Sequence, residues 1–132
     1  MTDVELYQKA VEQLEKAYAP YSGFSVGAAL LTMDDTLYTG CNIESAAYGA
    51  TICAERTALV KGVSEGHRKF KSIAVASSSG DFTFPCGICR QTLVEFGPNL
   101  RVIVGNLKGQ IQVFLLKDLL PEAFTSIELD KS

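Results

Sequence analysis

Ser72-Ile73-Ala74-Val75-Ala76 is a short apolar run set between polar residues. Its length and its Ile and Val content make it a strand buried on both faces. Reading outward from it organises the chain. Upstream, residues 53–61 are rich in Ala, Glu, Arg and Leu and predict a helix, with Gly62 as its C-cap. Before that, 24–32 and 37–42 read as a strand hairpin around Asp34-Asp35, and 45–51 as a loop. At the start, Thr2-Asp3-Val4-Glu5 has the form of a capping box. Val4, Tyr7, Val11, Leu14 and Tyr18 then recur at helical spacing, predicting a helix over about 3–18 that Pro20 stops. Downstream come a loop over 77–85, a helix over 87–96 and strands over 101–104 and 111–115. A short helix over 117–120 follows, and residues 129–132 are expected to fray. Five strands with interspersed helices predict a three-layer α/β/α sandwich around a five-stranded mixed sheet, one domain over 1–132.

The chain has 132 residues, enough for one ordinary core. Twelve basic residues against fifteen acidic ones leave a net charge of −3, which argues against nucleic acid as a partner. No apolar run approaches the roughly 20 residues of a membrane span, so no membrane association is expected. The N-terminus lacks a basic segment followed by an apolar one, so the expected location is the cytoplasm. Thiols stay reduced there, and clustered cysteines point to metal or catalysis more often than to disulfides.

Four cysteines, Cys41, Cys53, Cys86 and Cys89, stand beside a single histidine. Cys86 and Cys89 are one helical turn apart at the start of a predicted helix, where the dipole favours thiolate. Taken alone, the pair has three readings: packed core cysteines, a redox pair, or half a zinc site. His67, in a charged stretch, reads as a solvated surface residue. If zinc is bound, four thiolates would make a closed structural site, and three would leave a position for water and catalysis. Glu55 follows Cys53 by two residues. If Cys53 opens its helix, both side chains can approach one metal, which two helix N-termini then flank. A nearby carboxylate that is not a ligand is what a zinc-bound water needs as proton acceptor.

Cys53-Ala54-Glu55 followed by Pro85-Cys86-Gly87-Ile88-Cys89 matches the signature of zinc-dependent nucleobase deaminases. The likeness extends to residues 19–30, 40–48, 53–58, 85–91 and 119–124. Over about residues 7–126 the chain resembles cytidine deaminases of the short, homotetrameric type. That resemblance implies the cytidine deaminase-like fold and hydrolysis of cytidine and deoxycytidine to uridine and deoxyuridine with loss of ammonia, a step of pyrimidine salvage. It implies one Zn2+ per subunit on Cys53, Cys86 and Cys89, with Glu55 as the proton shuttle and Cys41 not a ligand.

The resemblance also implies a substrate site. Asn42 and Glu44 would hold the ribose 3′-hydroxyl, Phe24 would lie against the nucleoside, and backbone at Ala54 would read the base edge. Tyr48 would lie near the site and the subunit interface, and Phe124 would reach a neighbouring subunit's pyrimidine. Arg56 would hydrogen-bond the zinc thiolates and so offset the net −1 of three thiolates on a divalent ion. Rival readings are a polynucleotide deaminase, a deaminase of an analogue such as blasticidin S, a structural four-thiolate zinc module and a redox dithiol. The Tyr21-Ser22-Gly23-Phe24, Asn42-Ile43-Glu44 and Arg56 segments fit the nucleoside enzymes better than the blasticidin S deaminases.

Overall fold

Thr2 opens the first helix by the expected reciprocal bonds: its Oγ1 accepts from Glu5 N at 3.1 Å, and its own N donates to Glu5 Oε1 at 2.9 Å. The computed structural model describes residues 1–130. Its elements are α1 (Asp3–Glu12), β1 (Val26–Thr32), β2 (Leu37–Cys41), α2 (Ala54–Ser64) and β3 (Phe70–Ser77). They continue as α3 (Gly87–Val94), β4 (Arg101–Gly105), β5 (Ile111–Leu115), α4 (Leu116–Leu119) and α5 (Ser126–Asp130). The sheet order is β2-β1-β3-β4-β5, antiparallel throughout except for the parallel β3/β4 pair, so it is mixed as expected. Ile73 faces Val102 and Ala74 faces Ile103 across that pair.

Strand alternation sends neighbouring residues to opposite layers. Ala29, Leu31, Ala74, Ala76 and Ile103 pack with Leu6, Tyr7 and Ala10 of α1. Ala28, Leu30, Ile73, Val102 and Val104 pack with Ala54, Ala58 and Leu59 of α2 and Leu93 of α3. One helix covers one face, two cover the other, and the three-layer α/β/α sandwich follows. Among the described residues no helix is long and apolar enough to cross a membrane.

Three local expectations need correction. Helix α1 ends at Glu12 and tightens into a 3-10 turn over Gln13–Lys16 instead of running to 18. The cause is competition for backbone: Tyr18 N donates to Asn42 O (3.0 Å) and Tyr18 O accepts from Glu44 N (2.9 Å), which requires an extended chain. Strand β1 starts at Val26, because Phe24 gives its N–H to Ser22 Oγ and its carbonyl to Asn42 Nδ2 rather than to a ladder. Gly62 lies inside α2, where a Cβ would press on the Phe70 and Tyr38 rings at 3.1 and 3.3 Å. The stop is Gly66, at φ +102°, with Gly66 N bonded to Val63 O and His67 N to Gly62 O, the Schellman arrangement. Helix α5 is an addition, an element the hydrophobic pattern does not indicate. Of the segment expected to fray, Lys131 and Ser132 lie outside the described residues.

One contact of the fold sets the position of the site. A Cβ on Gly40 would lie 2.6 Å from both Ala54 O and Ala58 N. The backbone of α2 therefore rests directly on β2, with its first residue at the strand's end.

Candidate active site

Residues 42–44 form a spine between two loops. Ile43 exchanges backbone hydrogen bonds with Ile52 in both directions, each 3.0 Å, while its neighbours hold Tyr18 on the other side. This closes the 45–51 loop, which contains one 3-10 turn at Tyr48–Ala50, and delivers Cys53 to the head of α2.

Cys53 is the N-cap of α2 and Cys86 the N-cap of α3, so both helix N-termini converge as expected. The Cys53 and Cys86 sulfurs are 3.7 Å apart, those of Cys86 and Cys89 are 3.4 Å apart, and all three lie within 4.8 Å of one another. A tetrahedral zinc site with Zn–S near 2.3 Å needs sulfurs about 3.8 Å apart, so the three donors fit zinc by spacing and by chemistry. Cys41 does not join them; its thiol points at Lys16 O, 3.4 Å away. The closed four-thiolate arrangement is therefore not formed, and three donors leave a coordination position open.

The electrostatics set one thiolate beside a cationic side chain. Beside the Cys89 thiol, and with Arg56 and Cys86 also donating, the Cys53 thiol is pushed down to about 5. Cys89, hydrogen-bonded to that thiolate and buried, is pushed up and keeps its proton. Arg56 Nη2 lies 3.6 Å from Cys53 Sγ and 3.4 Å from Thr51 O, while its buried Nε has no hydrogen-bond partner. Glu55 is 4% exposed, and burial pushes its carboxyl up to about 7. A carboxyl held between its two forms near neutral pH is suited to taking and returning a proton.

These groups open into a cavity of ≈ 290 Å³. Cys53, Ala54, Glu55 and Cys86 line one part of it. Phe24 and Val26 line another, and Asn42, Glu44 and Ser22 supply polar groups. Asn42 bonds backbone on both sides of its amide, with Oδ1 accepting from Val26 N at 2.9 Å and Nδ2 donating to Phe24 O at 2.8 Å. Glu44 Oε1 accepts from Tyr21 N (2.9 Å) and Ser22 N (3.1 Å), Oε2 accepts from Ser22 Oγ, and the Ser22 contacts hold this carboxyl below its ordinary value.

A family model described as the cytidine and deoxycytidylate deaminase zinc-binding region matches residues 1–106. The chain belongs to that deaminase family. Curated relatives include a cytidine deaminase of Sporosarcina psychrophila, 49% identical over 96% of this chain and 95% of its own length. One from Halalkalibacterium halodurans is 48% identical over 95% and 96%. The crystal structure of a Burkholderia pseudomallei cytidine deaminase superposes with a TM-score of 0.89 at 47% identity, covering 94% of this chain and 100% of that one. A blasticidin-S deaminase of Bacillus cereus is more distant, 28% identical over 93% of this chain and 92% of its own.

The cavity gathers most residues singled out from the sequence, but Cys89, Arg56, Tyr48 and Phe124 are not among its lining. Tyr48 is 77% exposed, stacks edge-on against Tyr21 and lines an adjoining surface depression rather than the cavity. Phe124 is 60% exposed and is not among the cavity-lining residues; its carbonyl accepts from Gln91 Nε2 at 2.8 Å. The structure adds residues that sequence reasoning missed. Thr83 and Phe84 line the cavity from the 77–85 loop, with the Phe84 ring edge-on to Phe114 at 5.3 Å. The available signal was an aromatic directly before Pro85-Cys86. Ser22 had a signal too, in the Ser-Gly turn before Phe24.

Proposed function

We propose that this chain is a zinc-dependent cytidine deaminase, converting cytidine and deoxycytidine to uridine and deoxyuridine with release of ammonia. The observation that carries the reading is a buried carboxyl, Glu55, packed beside a three-thiol cluster at one cavity. Zinc held by Cys53, Cys86 and Cys89, one ion per chain, would supply a Lewis acid able to bring a water's pKa to about 7. Glu55 accepts a proton from the water that attacks C4, passes it to N3 of the base, and then assists protonation of the leaving amine. Arg56 hydrogen-bonds the ligand sulfurs and withdraws their charge. Phe24 lies against the nucleoside, Asn42 and Glu44 hold the sugar 3′-hydroxyl, and backbone at Ala54 meets the base edge.

The cavity is at the small end of ligand pockets, which run from about 300 to 1,000 Å³, and so suits a free nucleoside better than an oligonucleotide. The identity of 49% to a cytidine deaminase against 28% to a blasticidin-S deaminase supports cytidine over that analogue. We read residues 1–132 as one cytoplasmic domain that assembles as a homotetramer. The exposure of Tyr48 and Phe124, large aromatics left uncovered by their own chain, supports sites completed by neighbouring subunits. Zinc content and the loss of cytidine absorbance, measured on one sample, test the proposal. Zinc near one per chain with turnover is expected. Turnover undiminished in zinc-free protein, or a zinc-loaded protein inert toward cytidine, would overturn it.

A further inference from the structure

The polar end of the cavity has a hydrogen-bond capacity that can be counted. A carboxylate offers about four acceptor positions. Three of those on Glu44 are taken, by Tyr21 N, Ser22 N and Ser22 Oγ. The Asn42 amide has used one N–H on Phe24 O and one lone pair on Val26 N. What remains is one acceptor position on Glu44 and one donor and one lone pair on Asn42, both residues lining the same cavity. That pair suits a single hydroxyl that donates to one and accepts from the other.

Ser22 controls how Glu44 is aimed. Its Oγ accepts from Phe24 N at 3.0 Å, which occupies a lone pair and leaves the hydroxyl proton for Glu44 Oε2. Its amide grips the other carboxylate oxygen. Gly23, at φ +69°, makes the turn that returns Phe24 to this hydroxyl. One side chain thus joins the carboxylate to the backbone of the aromatic wall, in a chain whose bonds polarise one another.

We propose that Ser22 is a positioning residue, its hydroxyl and amide fixing the Glu44 carboxylate so that one free acceptor faces a hydroxyl of the nucleoside sugar. This rests on the nucleoside reading given under Proposed function. Ser22 touches no reacting atom, so its removal weakens binding of substrate and transition state alike and is read in KM rather than kcat. It also donates to the ionised form of Glu44, so its loss moves the acid limb of KM toward neutral pH.

The test is steady-state kinetics of Ser22→Ala and Ser22→Thr on cytidine and on 3′-deoxycytidine. We expect Ser22→Ala to raise KM for cytidine about tenfold with kcat within twofold, and Ser22→Thr to restore most of the loss. On 3′-deoxycytidine, which lacks the hydroxyl Glu44 would accept, Ser22→Ala should change KM by less than twofold. An equal rise on both substrates would make Ser22 a merely structural turn residue and overturn the proposal. Should Ser22→Ala fold poorly, Ser22→Cys, whose thiol is a weak donor, replaces it alone and paired with Glu44→Gln, the double variant being expected to be no worse than Glu44→Gln alone; additive losses would overturn the proposal. If Glu44→Gln leaves KM unchanged, the reading of the polar end falls, and Ser22 with it. If Glu44→Gln raises KM but Ser22→Ala does not, only the assignment of Ser22 falls.

Discussion

Glu55 carries opposite consequences for chemistry and for stability. Its carboxyl is buried beside the Cys53 thiolate, and burial lifts its pKa from 4.5 to about 7. In metal-free protein the unfolded chain ionises above about pH 4.5 while the native chain keeps the proton until about 7. Native stability therefore falls across that window and stays lowered above it, by about 3 kcal/mol. Glu55→Gln removes this dependence. In urea melts of the metal-free proteins, the variant should gain on the parent between pH 4.5 and 7 and then hold a constant lead. Because the Cys53 thiolate and Glu55 interact, the difference reports the titration of that coupled pair. The same variant, loaded with zinc, should keep its metal and lose roughly 10²–10⁴-fold in turnover. At this scale the sequence was most legible where chemistry dictates local spacing. The thiols of Cys53, Cys86 and Cys89 and the Glu55 carboxyl sit in two short motifs, and the fold brings them together. Ser22 and Phe84 carried only weak local signals, because their place in the cavity depends on how separate loops close over it.

Elements set the precision of the site through two backbone contacts. A methyl group at Gly40 would meet the α2 backbone at 2.6 Å, and backbone has no flexible end to yield. Gly40→Ala should therefore cost about 1–3 kcal/mol and push the head of α2, with Cys53 and Glu55, away from β2. A lowered denaturation midpoint accompanied by weaker zinc retention would show both effects; a midpoint equal to the parent's would refute the contact's importance. On the other wall, Arg90 Nε donates to Pro85 O and Nη1 to Leu119 O, both at 2.7 Å. This side chain clamps the turn that presents Cys86 to the start of the C-terminal segment. Arg90→Ala should accelerate zinc loss to a competing chelator about 10–100-fold, and Arg90→Lys, a single donor, should recover only part of it. Element type was readable throughout the central sheet from hydrophobic pattern. Element ends were less so: α1 stops early because Tyr18 pairs with Asn42 and Glu44, a contact spanning more than twenty residues that no local window contains.

For the whole molecule, three of four cysteines converge and one does not. Cys41→Ser should leave zinc content unchanged, whereas Cys89→Ser should release the metal; loss of zinc from the Cys41 variant would return the four-thiolate reading. Chelation should lower the melting temperature by an amount that depends on free zinc concentration, since the ion binds the folded state preferentially. The layer architecture was legible because β3 is apolar on both faces and needs cover on each. The crowding of α1 on one face and α2 with α3 on the other then places both helix N-termini at one end of the sheet.

The mutual bonds between Ile43 and Ile52 also bear on how such a chain can change over time or by engineering. They staple the base of the 45–51 loop, so the loop's length is uncoupled from the positions of Glu44 before it and Cys53 after it. Residues inserted near Tyr48 would enlarge an exposed arm and leave the thiol cluster in register. The chain can thereby alter its exposed surface while the spacing of its thiol cluster stays unchanged.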